Sequence, residues 1–212
     1  MEYLVTMTTH VPDGTSADTV DDVRTREAAR SRELAAQGHL LRLWRPPLQP
    51  GEWRSLGLFA AEDSDDLEKV LASMPLRVWR SDVVTPLSPH PNDPAPAAPA
   101  GPQAGAGDKA AEFLTTFTTS IPEGTQARTV DETEASEAER ANELAGQGHL
   151  VRLWQLPGER RALGLWRARD AGEMQGIMES LPLYAWMTIE TTALTQHPSD
   201  PGISRARRGG HR

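Results

Sequence analysis

The 212-residue sequence predicts an α+β chain made of two tandem βαββαβ repeats, and three observations carry that expectation. The stretch from Thr8-Thr9 to Trp44 realigns at a constant offset on Thr118-Thr119 to Trp154, and about 25 of the first 45 positions are identical to their partners. Its longest block is Gln37-Gly38-His39-Leu40 against Gln147-Gly148-His149-Leu150, each running on to Arg-Leu-Trp. Second, the match resumes at a shifted offset through Leu76/Leu183, Trp79/Trp186 and His90-Pro91/His197-Pro198, so the length change between the two blocks marks a loop. Third, the apolar period switches between two and 3.6 residues in the same order within each copy.

In the first copy Glu2 to Thr9 alternates as a strand, and Thr19 to Gln37 reads as a helix closed by Gly38 at its C-terminus. His39 to Arg45 and Trp53 to Ala60 read as a hairpin. Asp63 or Ser64 caps a second helix to Ser73, and Val78 to Leu87 supplies the last strand. The second copy repeats the pattern with Leu156-Pro157-Gly158 as a tighter hairpin turn. This order is the ferredoxin-like arrangement, an antiparallel sheet with both helices on one face. The other sheet face needs a cover, and the economical one is the second copy. The expected fold is therefore a tandem of ferredoxin-like repeats forming an intramolecular dimeric α+β barrel. The expected organisation is a first domain at 1–91, a Pro/Ala/Gly-rich linker at 92–111, a second domain at 112–202 and a basic tail at 203–212.

Composition narrows the function. The net charge of −8 disfavours nucleic acid and acidic membrane surfaces as partners, because phosphate affinity comes from clustered Lys and Arg. The absence of Cys removes disulfides, thiolate catalysis and Cys-rich metal sites. The opening residues carry no leader-like pattern and no run is apolar enough for a membrane span, so a cytoplasmic location is expected. No His, Asp or Glu cluster has metal-ligand spacing, and no phosphate loop, nucleophile elbow or dinucleotide fingerprint is present, so neither metal nor cofactor is expected.

The most informative anomaly lies on the first helix of each copy. The buried stripe runs Val20, Val23, Glu27, Ser31, Leu34 in one copy and Val130, Thr133, Glu137, Ala141, Leu144 in the other. A carboxylate in mid-stripe is costly unless paired. It is either a structural ion-pair member or a partly desolvated general base. Alternation on the hairpin sends Leu41 and Leu43 to the helices. Leu40, Arg42, Trp44, Trp53, Ser55, Gly57 and Phe59 then face the opposite side, with Leu150, Arg152, Trp154, Arg160, Ala162, Gly164 and Trp166 corresponding to them. The result is an aromatic-walled space with an inward guanidinium, suited to a small molecule bearing a carboxylate. Arg42 and Arg152 either orient such a ligand or pair with Glu27 and Glu137. His39 and His149, just after the helix cap, read as structural rather than ligating or catalytic residues, and His90 and His197, which end the last strands, read equally as turn fixtures or as site residues.

At these residues each copy resembles the muconolactone Delta-isomerase family. The likeness lies in Pro12 or Pro122 after the first strand, Glu27 or Glu137, the Gly38-to-Trp44 block, and Leu181-Pro182-Leu183-Tyr184-Ala185-Trp186-Met187 through His197-Pro198. The resemblance implies ferredoxin-like subunits that pair into α+β barrels and assemble further, here as a possible homo-oligomer of fused pseudo-dimers. It implies a cofactor-free shift of a double bond in an unsaturated lactone, with Glu27 and Glu137 as proton shuttles. The binding wall departs from the family: its Tyr and Asn on the third strand are replaced by Trp53 and Ser55 in one copy and Arg160 and Ala162 in the other, and its His beside the Trp by Arg42 or Arg152. A different substrate is thereby expected. Two further readings stand beside the isomerase: a biosynthetic cyclase or epimerase acting on a larger polyketide-like substrate, and a non-catalytic small-molecule-binding protein.

Overall fold

A computed structural model describes residues 1–94 and 110–202. Among them are eight strands and four α-helices in two similar halves, the mixed α+β, ferredoxin-like fold that the sequence predicts. The 92–111 linker falls mainly, and the 203–212 tail wholly, outside the described residues.

The first compact unit comprises, among the described residues, Met1–Leu87 and the segment 195–202. Its elements are β1 (Glu2–Thr9), α1 (Ala17–Gln37), β2 (Leu40–Arg45), β3 (Arg54–Ala60), α2 (Ser64–Ala72) and β4 (Arg80–Pro89), whose last two residues belong to the second unit. Ser16 caps α1 by accepting from the Thr19 amide, and Asp63 caps α2 by accepting from Asp66. Gly38 ends α1 at φ 83°, a left-handed conformation that other residues enter only at a cost. The strands pair antiparallel in the order β4, β1, β3, β2, and Thr195–Gln196 add to the outer edge of β2. A short 3₁₀ turn, Pro75–Trp79, precedes β4 and delays the strand relative to the expected Val78 start.

The second unit, Ser88–Leu194, repeats this with β5 (Ala111–Thr119), α3 (Ala127–Gly146), β6 (Leu150–Gln155), β7 (Arg161–Ala168), α4 (Ala171–Glu179) and β8 (Met187–Gln196). Its strand order is β8, β5, β7, β6, with Ser88–Pro89 on the edge of β6. The compact units therefore do not follow the repeat boundary. The segment after β4 belongs to the second unit, where Asp93 bonds Arg152, and Ala111 already pairs with Ala168 as the start of β5.

Each unit buries its own core between sheet and helices. Tyr3, Val5, Met7, Leu34, Leu40, Leu43, Phe59, Leu67 and Leu71 form the first. Phe113, Phe117, Leu144, Leu150, Leu153, Trp166, Met174 and Ile177 form the second. No helix among the described residues is long and apolar enough to cross a membrane.

Candidate active site

Glu27 sits in mid-helix, between the α1 face and the 3₁₀ turn. Pro75 opens that turn and supplies no N–H, so the Leu76 amide is one of the unmet donors at a helical N-terminus. Glu27 Oε2 accepts from it at 2.9 Å, and Arg80 Nη1 reaches Oε1 at 3.4 Å. Arg80 is itself held by Asp82, through Nε at 2.6 Å and a better-aligned hydrogen bond from Nη2 at 3.0 Å, and Asp82 also accepts from Arg77 at 3.1 Å. Burial pushes the Glu27 carboxyl above the ordinary glutamate range; the Leu76 amide and Arg80 oppose that rise, and Asp82 reinforces it. The carboxylate lines a cavity of about 190 Å³ with Met7, Arg24, Arg45, Trp53, Ser55 and His197.

Glu137 occupies the same place in the second unit. Its Oε2 accepts from the Leu183 amide at 3.0 Å, after Pro182, and Oε1 has no partner among the described residues. The places of Arg80 and Asp82 are here taken by Met187 and Ile189, so the cation and the second carboxylate that adjoin Glu27 have no counterpart at those two positions. Burial again raises the pKa, opposed only by the Leu183 amide. The cavity is about 560 Å³, lined by Phe117, Leu150, Leu153, Ala162 and Trp166, with Glu134 and Arg160 among its polar members.

Of the sequence candidates, Trp53 and Ser55 share a cavity with Glu27, and Arg160 and Trp166 share one with Glu137. Phe59 is instead fully enclosed in the first core. Arg42 and Trp44, with Arg152 and Trp154, line neither cavity. Their face was expected to include the third-strand residues as well, but the register shifts between Leu40 and Arg42, and between Leu150 and Arg152. This bulge inserts one residue and puts Leu40 and Leu43 on the helix side together with β3. Gly57 and Gly164 fit that face because the rings of Phe59 and Trp166 fold back over them; a Cβ at either position would collide with the ring.

Nor do the two arginines pair with the glutamates. Arg42 and Asp200 are both buried, joined at 3.0 Å from Nη2, and Asp200 also accepts from the Leu43 amide at 3.0 Å. Arg152 repeats this with Asp93 at 3.1 Å, Asp93 accepting from Leu153 at 2.9 Å. Each guanidinium lies over its neighbouring indole, 4.8 Å from Trp44 and 4.7 Å from Trp154. These are clamps that seat the segments after β8 and β4.

That seating brings in residues first read equally as turn fixtures or as site residues. His197 lines the first cavity and His90 the second. In each, Nδ1 accepts from the amide two residues on, Ser199 or Asn92, at 3.1 Å, which leaves the proton on Nε2. Burial pushes both below the usual histidine value, His197 to about 4 with help from the Arg45 and Arg24 charges. Both are neutral donors at pH 7. The His-Pro pairs were visible in the sequence, but nothing there links them to a glutamate in the opposite repeat.

Comparison with known proteins extends this geometry. The muconolactone delta-isomerase family model matches the chain twice, over residues 1–93 and 111–200. A muconolactone Delta-isomerase of Cupriavidus pinatubonensis is 33% identical over 92 residues, covering 43% of this chain and 97% of the relative. Muconolactone Delta-isomerase 1 of Acinetobacter lwoffii is 33% identical over 79 residues, 37% of this chain and 82% of the relative. Among solved structures, a heme-binding protein from Thermus thermophilus aligns over 99% of this chain and 95% of its own, with a TM-score of 0.58 at 11% identity, a likeness of fold alone. With two family matches that together span most of its length, the chain belongs to the muconolactone delta-isomerase family.

Proposed function

We propose that the protein is a cofactor-free isomerase that moves a carbon–carbon double bond in a small unsaturated lactone or related carbonyl compound by 1,3-proton transfer. The supporting observation is the half-buried Glu137, anchored by one amide, raised in pKa by burial, and presenting its other oxygen to a cavity. In its ionised form Oε1 removes a proton activated by the carbonyl, and the electron pair delocalises into an extended enolate. The same carboxyl, now protonated, returns the proton two carbons away and the double bond shifts. Nothing is consumed, and the base is regenerated. His90, neutral with its proton on Nε2, supplies a hydrogen bond to the developing enolate oxygen. Glu27 and His197 offer the same pair in the first unit.

Muconolactone is the direct test, followed by proton NMR in D2O. Turnover with deuterium entering the product, abolished in the Glu27→Gln/Glu137→Gln double variant with the fold intact, is the expected result. Persistent turnover in that variant removes the glutamates from the mechanism. Binding with neither conversion nor exchange, for muconolactone and for larger unsaturated carbonyl compounds alike, replaces the isomerase by a binding protein. The roomier second cavity favours a biosynthetic cyclase or epimerase as the alternative, which conversion of a polyketide-like substrate would support.

A further inference from the structure

The two cavities occupy equivalent positions and have unlike linings. Around Glu27 in about 190 Å³ stand Arg24, Arg45 and Arg80: Arg80 is committed to Glu27 and Asp82 and Arg24 lies over Trp53 beside Asp21, whereas Arg45 has no carboxylate partner among the described residues. That volume is near the roughly 150 Å³ that holds a single benzene-sized ring. At the equivalent places the second unit has Glu134, Gln155 and Met187. Its lining arginines, Arg160 and Arg161, are balanced by Glu134 and Glu137. Arg160 is drawn to Glu134 at 3.3 Å and Arg161 donates to the Pro157 carbonyl at 3.1 Å, which commits both at the rim. Ser31 and Ser55 give way to Ala141 and Ala162, and the space grows to about 560 Å³, within the roughly 300–1,000 Å³ of sites for larger organic ligands.

A carboxylate-bearing ligand entering the second cavity would leave solvent without a free cation to meet it and with two glutamates nearby, a desolvation that costs affinity. An uncharged ligand has no such penalty and gains the apolar contact of Phe117, Leu150, Leu153 and Trp166. From this difference we propose that the two sites have divided their ligands: the first takes a small carboxylate-bearing ring compound, and the second a larger, uncharged, mainly apolar unsaturated lactone or ketone. The division deepens the isomerase reading and rests on it for the reacting group, but concerns binding and is tested without turnover.

Calorimetric titration of the full chain with coumarin, a neutral bicyclic lactone, and with furan-2-carboxylate, a small aromatic anion, provides the test. Coumarin is expected to saturate one site per chain, to lose about tenfold or more in affinity in Ala162→Trp, and to be unmoved by Ser55→Trp. Furan-2-carboxylate should show the reverse and should not displace coumarin. If Ala162→Trp fails to fold, Met187→Arg brings charge into the same cavity and should weaken coumarin by a similar factor. Competition between the probes, or loss of coumarin in Ser55→Trp alone, overturns the division, as does failure of coumarin to saturate. Separate sites for the two probes, with no deuterium entering muconolactone or the larger unsaturated carbonyl compounds in D2O, would instead leave the division standing and remove the catalytic reading.

Discussion

Glu27 divides its carboxylate between the Leu76 amide and Arg80, whereas among the described residues Glu137 bonds the Leu183 amide alone, because Arg80 and Asp82 of the first repeat correspond to Met187 and Ile189 in the second. The anchor is alike in both, the backbone N–H of the leucine that follows a proline at the start of a 3₁₀ turn. What differs is the charge around it. A nearby guanidinium favours the ionised form and so weakens the carboxylate as a base, while simple burial does the opposite. One fold thus holds a glutamate set among charges in a small cavity and another set among apolar side chains in a large one. Duplication within a chain permits that, since either copy can drift while the other keeps its role.

If this contrast governs catalysis, Glu137→Gln should lower kcat/KM for a neutral substrate by roughly 10²- to 10⁴-fold, the range associated with loss of a positioned acid–base group. Glu27→Gln should leave that activity within about twofold, because Glu27 lines the other cavity and is not the positioned acid–base group for that substrate. Equal losses from the two single variants would break the comparison. The acid limb of the rate profile should also lie above the ordinary glutamate value of 4.5, because Glu137 must be ionised to act and burial raises its pKa.

The clamps differ less. Asp200→Ala breaks the buried Arg42–Asp200 pair and removes the acceptor of the Leu43 amide, and should cost about 3–5 kcal/mol in urea unfolding, the scale for breaking a buried pair. Asp93→Ala should cost less. The Arg152 and Asp93 side chains are 15% and 7% exposed, against 3% and 0% for Arg42 and Asp200, so water can partly replace the lost partner.

Much of this was legible in the sequence, and the losses have identifiable causes. The repeat, the strand and helix order and the mid-stripe glutamates follow from periodicity, which is local. The wall of the site was misread because the extra residue at Leu41 flips the strand face, and a bulge leaves no mark in simple alternation. The partners of Arg42 and Arg152 lie 158 and 59 positions away, in segments that cross into the other repeat's unit, and spacing cannot reveal such pairs. The histidines were hidden by that same crossing. Arg80 and Asp82 were not singled out at all, because nothing in the last strand's pattern ties them to a glutamate 53 positions before Arg80.

His90 and His197 sharpen the comparison at the next scale. His90→Phe removes the Nε2 donor from the larger cavity and should lower kcat by about 10- to 100-fold, with KM changing less, if it serves the enolate. His197→Phe should leave turnover of the neutral substrate unchanged. The first histidine-dependent effect on stability is expected from His197 instead. Its folded pKa of about 4 is below the unfolded value of 6.5, so the unfolded chain binds more protons between the two. Stability from this group is complete above 6.5 and is lost as pH falls towards 4, and urea midpoints of wild type and His197→Phe should converge over that interval.

The smallest effect tests the charge argument at its source. Arg80→Met alone would leave the buried Asp82 with Arg77 as its remaining cation, so the informative variant is Arg80→Met/Asp82→Ile, which gives the first unit the side chains of the second. Two opposing influences on Glu27 disappear together: Arg80, which lowers its pKa, and Asp82, which raises it. Arg80 acts more strongly than Asp82 on Glu27, with its Nη1 at 3.4 Å from Oε1, so its loss dominates and the carboxyl should titrate higher, nearer to Glu137. The shift should be small, below about one pH unit, because burial and the Leu76 amide are unchanged. Carboxyl carbon chemical shifts of Glu27 followed against pH measure it directly. An upward shift ties the difference between the two glutamates to the Arg80–Asp82 pair, whereas a downward one would mean that Asp82, not Arg80, sets the proton affinity of the first site.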